Sequence, residues 1–180
     1  MTVPDQRAPG VKFEDLALPL FDQLYNFARW LAQDTSEAED LVQETYVKAL
    51  RGFSGFQAGT NFRAWMFRIL RNSFLTSRSG LKATVSLEED ETGAVASSAP
   101  TPETMLIDLA DRDAVREALT ELPAAAREIL LLCEVEEMSY EEIAQVLAIP
   151  IGTVMSRLHR ARKALRLRLL DKIKGGPHGV

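Results

Sequence analysis

The chain has 180 residues, 46% of them hydrophobic, and a formal net charge of −5. A chain of this length can bury one moderate core or two small ones, and its acidic total speaks against a protein that coats nucleic acid indiscriminately. Cys133 is the only cysteine, so an internal disulfide is excluded and a reducing compartment is expected. No apolar run approaches the ~20 residues that cross a bilayer, and we therefore expect a cytoplasmic protein without membrane insertion.

The first third of the chain predicts a bundle of helices. Apolar residues recur at helical spacing over 13–33, where Pro19 should kink the helix or break it into two pieces. Ser36 and Glu39 have the spacing of a capping box, which predicts a helix from there to about Arg51. Its predicted inner face consists of Val42, Tyr46, Ala49, Leu50 and Phe53. Its opposite face consists of Asp40, Gln43, Glu44, Val47 and Arg51.

A third helix should follow a loop that contains three glycines between residues 52 and 60. Asn61 can cap this helix, which we expect to end near Ser77. The helix interleaves aromatic residues with arginines, and no acid occurs between residues 61 and 87. In one interpretation all the aromatics are core, with Trp65, Ile69 and Leu70 covering the first two helices. In the other, some of them stack on unpaired bases while arginine and asparagine hold phosphates and base edges.

A change of composition divides the chain into two parts. Residues 79–102 are poor in large apolar side chains and rich in Ser, Thr, Ala and acids, which predicts a flexible acidic linker. We therefore expect two helical domains, at 13–78 and 103–174, and short disordered tails at 1–12 and 175–180. No strand pattern is found, so the predicted fold class is all-α.

The second domain should have its centre in the apolar run Ile129–Cys133. Apolar residues from Leu106 to Leu122 recur at helical spacing, and this helix should end before Pro123, which suits the start of the next one. Cys133 itself is expected to be a small buried core residue rather than a reactive thiol.

Residues 139–165 have the pattern of a helix-turn-helix. Ser139 and Glu142 form a capping box for a helix with one apolar face. Pro150 cannot continue that helix, so a turn over Ala148–Ile151 should precede a second helix. The inner stripe of the second helix is Val154, Leu158, Ala161 and Leu165. Its outer positions are Thr153, Met155, Ser156, Arg157, His159, Arg160, Arg162 and Lys163. A polar, basic outer face after a tight turn is typical of DNA binding, although a basic helix alone could equally be a solvated surface.

Two basic islands lie within the acidic chain. Residues 61–82 hold five Lys or Arg and no acid, and residues 155–174 hold eight against the single Asp171. Between them, residues 83–150 hold sixteen acids and three bases. This distribution predicts two separate contacts with nucleic acid.

Three segments resemble, in order and separation, bacterial sigma factors of the extracytoplasmic-function (ECF) group of the sigma-70 family. They are DLVQETYVKAL (40–50), FSGFQAGTNFRAWMFRILRN (53–72) and SYEEIAQVLAIPIGTVMSRLHRAR (139–162). The first domain is similar to region 2 of the family and the second to region 4. A further likeness, through ALPLFDQLYN, AEDLVQETY and GTNFRAW, is to the oxidative-stress branch that pairs with zinc-binding anti-sigma factors.

The resemblance implies three sets of binding residues. The clamp helices of the largest polymerase subunit would be bound by Asp40, Gln43, Glu44 and Val47. The −10 element would be opened, and a flipped base held, by Phe56, Asn61, Arg63, Trp65, Arg68, Arg71 and Asn72. The −35 element would be bound by Thr153, Met155, Ser156, Arg157, His159, Arg160 and Lys163. Met155 departs from the family, in which many relatives have Lys or Arg at this position. The resemblance therefore does not predict the exact −35 sequence that this chain would bind.

The resemblance also implies the partners. They are core RNA polymerase, whose flap would bind region 4, promoter DNA, and an anti-sigma factor that holds the protein inactive until a stress signal. The free protein would be a monomer, and the holoenzyme would be associated with the nucleoid. With His159 and His178 as the only histidines, no catalytic constellation or metal cluster can be assembled, so no enzyme activity, cofactor or metal is expected.

Two other classes of protein fit the sequence less well. A stand-alone repressor or activator would use the helix-turn-helix as a dimer, but its dimerisation domain would not need the aromatic, arginine-rich third helix. A protein-interaction adaptor would leave both basic islands without a role.

Overall fold

The computed structural model describes residues 11–79 and 112–175, and every regular element within these ranges is helical. The chain divides into two compact units, one containing residues 11–79 and the other most of residues 112–175. The all-α fold class predicted from the sequence is therefore confirmed. The predicted linker and tails lie almost wholly outside the described residues, so the predicted domain borders stay predictions.

The N-terminal unit is a bundle of helices around a small core. Its elements are α1 (Phe13–Ala17), a 3₁₀ turn (Leu18–Leu20), α2 (Phe21–Ala32), α3 (Thr35–Gly52), a second 3₁₀ turn (Phe53–Gly55) and α4 (Phe62–Ser79). Pro19 lies in the first 3₁₀ turn, between α1 and α2, because its fixed φ and missing N–H do not suit a helix interior. The predicted break in the first helix is confirmed.

The start of α3 differs from the predicted capping box. Asp34, not Ser36, is the N-cap, and its carboxylate accepts a hydrogen bond of 2.8 Å from the backbone N–H of Glu37. Gln33 ends α2 in the left-handed conformation with φ 57°, so Asp34 comes directly after that helix and caps the next one. Ser36 and Glu39 therefore lie inside α3, which begins two residues earlier than predicted.

The helices α2, α3 and α4 share one core, in which the rings of Phe27 and Phe67 lie 5.2 Å apart. The buried positions of α3 are Ala38, Leu41, Val42, Thr45 and Ala49. Thr45 can be buried because its hydroxyl donates a hydrogen bond to the carbonyl of Leu41 (2.7 Å). The prediction that Leu50 belongs to the inner face is wrong, since the buried stripe is centred nearer to residue 45 and leaves Leu50 exposed.

The C-terminal unit contains the helix-turn-helix. Its described elements are α5 (Arg112–Thr120), α6 (Ala124–Leu130), a π-helical turn (Leu131–Val135), α7 (Tyr140–Leu147) and α8 (Ile151–Gly175). Pro123 is the N-cap residue of α6, as its position in the sequence predicts. The run from Ile129 to Leu132 is buried. The predicted helical residues Leu106 and Ala110 lie outside the described part of the chain.

Cys133 lies at the edge of this core and not inside it. The π-helical turn, in which the N–H of Glu136 donates to the carbonyl of Leu131 (2.9 Å), shifts the residues that follow out of the α-helical phase. The prediction that Cys133 is a buried core residue is therefore wrong, and its side chain is half-buried. Burial, aided by the charge of Glu134, still raises the pKa of the Cys133 thiol, which favours its neutral form.

The helix-turn-helix agrees with its sequence pattern. The Ser139 hydroxyl accepts from the N–H of Glu142 (3.2 Å), and the Glu142 carboxylate accepts from the N–H of Ser139 (2.8 Å). Ala148 ends α7 in the left-handed conformation with φ 55°, and α8 starts directly after Pro150. The predicted inner stripe is confirmed and extends by one more turn. Its buried residues are Val154, Leu158, Ala161, Leu165 and Leu169.

Candidate nucleic-acid and protein interfaces

The first half of α8 carries all seven residues predicted to bind the −35 element. Four of them are exposed, namely Met155, His159, Arg160 and Lys163, and three are half-buried, namely Thr153, Ser156 and Arg157. The Ser156 hydroxyl donates to the carbonyl of Thr153 (3.1 Å), and the hydroxyl oxygen keeps its lone pairs as hydrogen-bond acceptors. These residues form one surface, because the inner stripe of α8 fixes the rotation of the helix.

The second basic island, residues 155–174, offers nucleic acid fewer cations than its sequence predicts. Lys172 donates to Glu117 (3.0 Å) and to Glu121 (2.7 Å), both at the α5 side of the unit, and Arg168 pairs with Glu121 at 3.3 Å. The hydrogen bond to Glu121, and then that to Glu117, raises the pKa of Lys172. Arg162 pairs with Glu134 at 2.7 Å. These three cations are therefore engaged with acids of the chain itself.

The aromatic residues around α4 pack mainly against one another. The ring of Phe56 lies 5.0 Å from Trp65 and 5.2 Å from Phe62, and Phe53 lies 5.4 Å from the buried Phe13. Phe53, Phe56, Phe62 and Trp65 are nevertheless only half-buried. The structure thus lies between the two interpretations of these aromatics, because the rings form a cluster and still present part of their surface to solvent.

Several polar residues of the predicted −10 set have contacts within the chain. Asn61 caps α4, since its side-chain oxygen accepts from the N–H of Ala64 (2.9 Å). Arg63 donates to Gln23 (3.0 Å) and lies over the ring of Phe67 at 5.4 Å.

The remaining polar members of the −10 set lie further along α4. Arg68 and Asn72 are exposed, and Arg71 is half-buried. Trp65, Arg68 and Asn72 follow one another at i, i+3 and i+7, so they share one face of α4.

The four residues of the predicted polymerase stripe, Asp40, Gln43, Glu44 and Val47, are all exposed on α3. The sequence reasoning did not include Lys48, which pairs with Glu44 at 2.5 Å and donates to the buried hydroxyl of Ser73 at 2.9 Å. Lys48 thereby links the stripe to α4. The i, i+4 spacing of Glu44 and Lys48 in the sequence predicts their ion pair. Nothing in the sequence predicts the hydrogen bond between Lys48 and Ser73.

An apolar patch, also missed from the sequence, surrounds Tyr46. Leu18, Phe21, Val47 and Leu50 are 64%, 48%, 47% and 57% exposed. The ring of Phe21 lies 6.0 Å from that of Tyr46, and the Tyr46 hydroxyl donates to the carbonyl of Ala17, the residue before Leu18 (2.6 Å). Burial of Tyr46, together with the nearby charge of Asp22, raises the pKa of its hydroxyl. Val47 belongs both to this patch and to the stripe.

In the described ranges, 11–79 and 112–175, no group of three or more His, Cys, Asp or Glu is arranged to hold a metal ion. None of the helices within the same ranges is long and apolar enough to span a membrane.

Family models match both units of the chain. The model described as Sigma-70 region 2 matches residues 19–83, and the model described as Sigma-70, region 4 matches residues 112–165.

Curated relatives extend this likeness to nearly the whole chain. The ECF RNA polymerase sigma factor EcfG of Rhodopseudomonas palustris is 36% identical over 151 residues, which are 84% of this chain and 81% of the relative. The ECF RNA polymerase sigma factor SigE of Mycolicibacterium smegmatis is also 36% identical, over 86% of this chain, but the match spans only 60% of that longer relative.

Solved structures agree with the sequence relatives. The sigma factor RpoE of Bartonella quintana, solved with the anti-sigma factor NepR, superposes with a TM-score of 0.67 at 28% identity, over 92% of this chain and 98% of that one. CnrH, solved in complex with the cytosolic domain of CnrY, has a TM-score of 0.62 at 27% identity, over 88% of this chain and 87% of that one. The two helical units and their interfaces define a transcription factor of the sigma-70 class, and the chain belongs to its ECF RNA polymerase sigma factors.

Proposed function

We propose that this sigma factor directs core RNA polymerase to promoters by binding the −35 element through α8 and by opening the −10 element through α4. The observation that carries the proposal is the outward face of α8. A buried stripe fixes the rotation of this helix, and the half turned away from the core carries seven residues suited to DNA contact. Because the polymerase and the chromosome of a bacterium share one compartment, the chain would act in the cytoplasm and, in the holoenzyme, at the nucleoid.

At the −35 element, α8 would act as the second helix of a helix-turn-helix, whose first turns enter the major groove. Thr153 and Ser156 lie in these turns and can contact phosphates or base edges. Arg157, Arg160 and Lys163 supply positive charge towards the DNA. His159 follows Met155 at i+4 and lies on the same face. The cations Arg162, Arg168 and Lys172 are better explained as contacts within the unit.

At the −10 element, the shared face of Trp65, Arg68 and Asn72 offers a partly exposed indole, a cation and an amide. This combination can hold an extruded base, whose unstacking costs a few kcal/mol. Phe56 would contribute through the edge it leaves exposed, and Arg71 through its charge. Asn61 and Arg63 have roles within the fold, so we assign them to the support of this surface as much as to DNA.

The stripe on α3 is proposed to bind the clamp helices of the largest polymerase subunit. Its acids, Asp40 and Glu44, are suited to basic groups, and Val47 joins the stripe to the apolar patch around Tyr46. A protein interface commonly has an apolar centre and a charged rim, and the stripe with the patch has this composition. The C-terminal unit is proposed to bind the flap of the polymerase.

The proposed function is tested by run-off transcription. Core polymerase, the purified protein and a library of genomic promoter fragments from the native host should yield discrete transcripts that core polymerase alone does not produce. Start sites that do not depend on the protein would contradict the proposal. The free protein should be a monomer, so the binding of an isolated palindromic duplex by a dimer would instead support a stand-alone repressor or activator.

We also propose that an anti-sigma factor inhibits this protein before a stress signal. The support is the likeness to RpoE, which was solved bound to the anti-sigma factor NepR, together with the exposed apolar patch, which a partner could cover. Whether the inhibitor depends on zinc, as the oxidative-stress branch implies, is part of the test.

Capture of the tagged protein from unstressed host cells should recover a stoichiometric small protein. That protein, once purified, should block run-off transcription when it is added before core polymerase but much less when it is added after. Repeating the assay with a chelator shows whether inhibition needs a metal. Recovery of polymerase without any inhibitory partner would argue against the anti-sigma proposal and leave the promoter function intact.

A further inference from the structure

Met155 is an apolar side chain at the flank of the polar outward face of α8. It is 45% exposed, whereas the residue before it, Val154, is fully buried. With Val154 and Leu158 both in the core, a rotation of 100° per residue places Met155 beside the buried stripe, where its side chain is still partly exposed.

The neighbours of Met155 are the residues proposed to contact DNA. Ser156 is adjacent, and His159 lies one turn further along the same face. Ile151, one turn earlier and 39% exposed, extends the apolar surface towards the start of the helix. In a helix-turn-helix this first part of the second helix faces the base edges, so an apolar group here would meet bases and not the solvent.

The major groove offers few apolar partners. The C5-methyl group of thymine is the one that distinguishes a base pair, and apolar side chains contact it directly. A thioether side chain is flexible and polarisable and adapts well to such a small apolar surface. A lysine or arginine at the same position would instead hydrogen-bond guanine or contact phosphate, and neither of these contacts reads the methyl group of thymine.

We propose that Met155 is a specificity-determining residue that contacts a thymine methyl group in the −35 element. The inference rests on the proposed binding of that element by α8. It implies that one position of the −35 sequence is restricted to thymine by an apolar contact.

The test uses holoenzyme and promoter fragments that support run-off transcription. Each thymine of the −35 element is replaced in turn by deoxyuridine, which lacks only the methyl group. With the wild-type protein, one position should lose about fourfold in affinity, the effect of removing one buried methyl group. With Met155→Ala, the same replacement should have no effect, because the partner of the methyl group has been removed.

Two further variants separate this contact from general effects. Met155→Lys should bind all sequences more tightly and increase the slope of log affinity against log salt by about 0.9, as one added phosphate contact predicts, with no sensitivity to deoxyuridine. Leu167→Ala removes another exposed apolar side chain of α8, 53% exposed, and should keep the wild-type response to deoxyuridine.

The outcomes distinguish this inference from the proposed function. If run-off transcription depends on the protein but no thymine shows a response that Met155→Ala abolishes, the methyl contact is wrong and the promoter function stands. A loss of affinity by Met155→Ala that is equal on all DNA would likewise overturn the inference and indicate a protein contact. If the protein supports no specific transcription at all, the proposed function and this inference both fail.

Discussion

Replacing Asp40 and Glu44 together by lysine should abolish holoenzyme formation while leaving the N-terminal unit folded. Both carboxylates are exposed on α3, so the fold needs neither charge. Glu44 gives up only an exposed i, i+4 pair with Lys48, which is worth about 0.5 kcal/mol or less. In an interface, by contrast, the loss of one partner of a desolvated charge pair costs about 2–5 kcal/mol. Core affinity should therefore fall at least 100-fold, as measured by competition with labelled wild-type protein.

The matched control replaces Glu14 and Asp15 by lysine. These two exposed acids lie on α1 of the same unit, outside the stripe, and their replacement changes the net charge by the same amount. The control should bind core polymerase nearly as well as the wild type. If the stripe variant stays within twofold of wild-type affinity with an unchanged thermal melt, the stripe is only a solvated surface.

Asn72→Ala should reduce open-complex formation at a duplex promoter at least tenfold without weakening binding to core polymerase. Asn72 is exposed, and its backbone carbonyl accepts a hydrogen bond from the Thr76 hydroxyl (2.9 Å). Alanine keeps that carbonyl and favours the helix, so the effect would come from the lost amide. Permanganate reactivity of thymines in the melted strand measures the yield.

Thr76→Ala is the matched control for Asn72→Ala, since residue 76 is exposed one turn later on the same face of α4. A template with a preformed bubble should restore much of the lost activity of Asn72→Ala, because the unstacking step is then complete. Trp65→Ala would be a poorer test, since its ring packs on Phe56 and Phe62 and its removal would disturb the cluster. Equal open-complex yields for Asn72→Ala and the wild type would rule out the base-holding role.

The helix-turn-helix was predicted well because its signals are local. The capping box of Ser139 and Glu142 spans four residues, and the inner stripe of α8 follows from periodicity alone. The start of α3 was harder, because Asp34 and Ser36 can both cap a helix and both precede a glutamate by three residues. Only the left-handed Gln33 decides between them, and its conformation has no clear signal in the sequence.

The partners of charged side chains were the main feature that the sequence could not supply. Lys172 and Glu117 are 55 residues apart, and Arg162 and Glu134 are 28 apart, so their pairing depends on how the helices pack. The number of cations that α8 presents to DNA was therefore overestimated from the sequence. The half-burial of Cys133 was missed for a similar reason, since a π-helical turn changes the phase of a helix without an obvious change in composition.

The continuity of α8 gives the C-terminal unit a mechanical property. At 1.5 Å per residue, its 25 residues form a rod of about 37 Å. One end of this rod carries the outward face with Met155, and the other end is tied to α5 through Lys172 and Arg168. A tilt of about 5° at the tied end would move the opposite end by about 3 Å over a rod of this length. The ion pairs with Glu117 of α5 and with Glu121, directly after it, would thus influence the angle at which α8 is presented, although they lie far from the outward face.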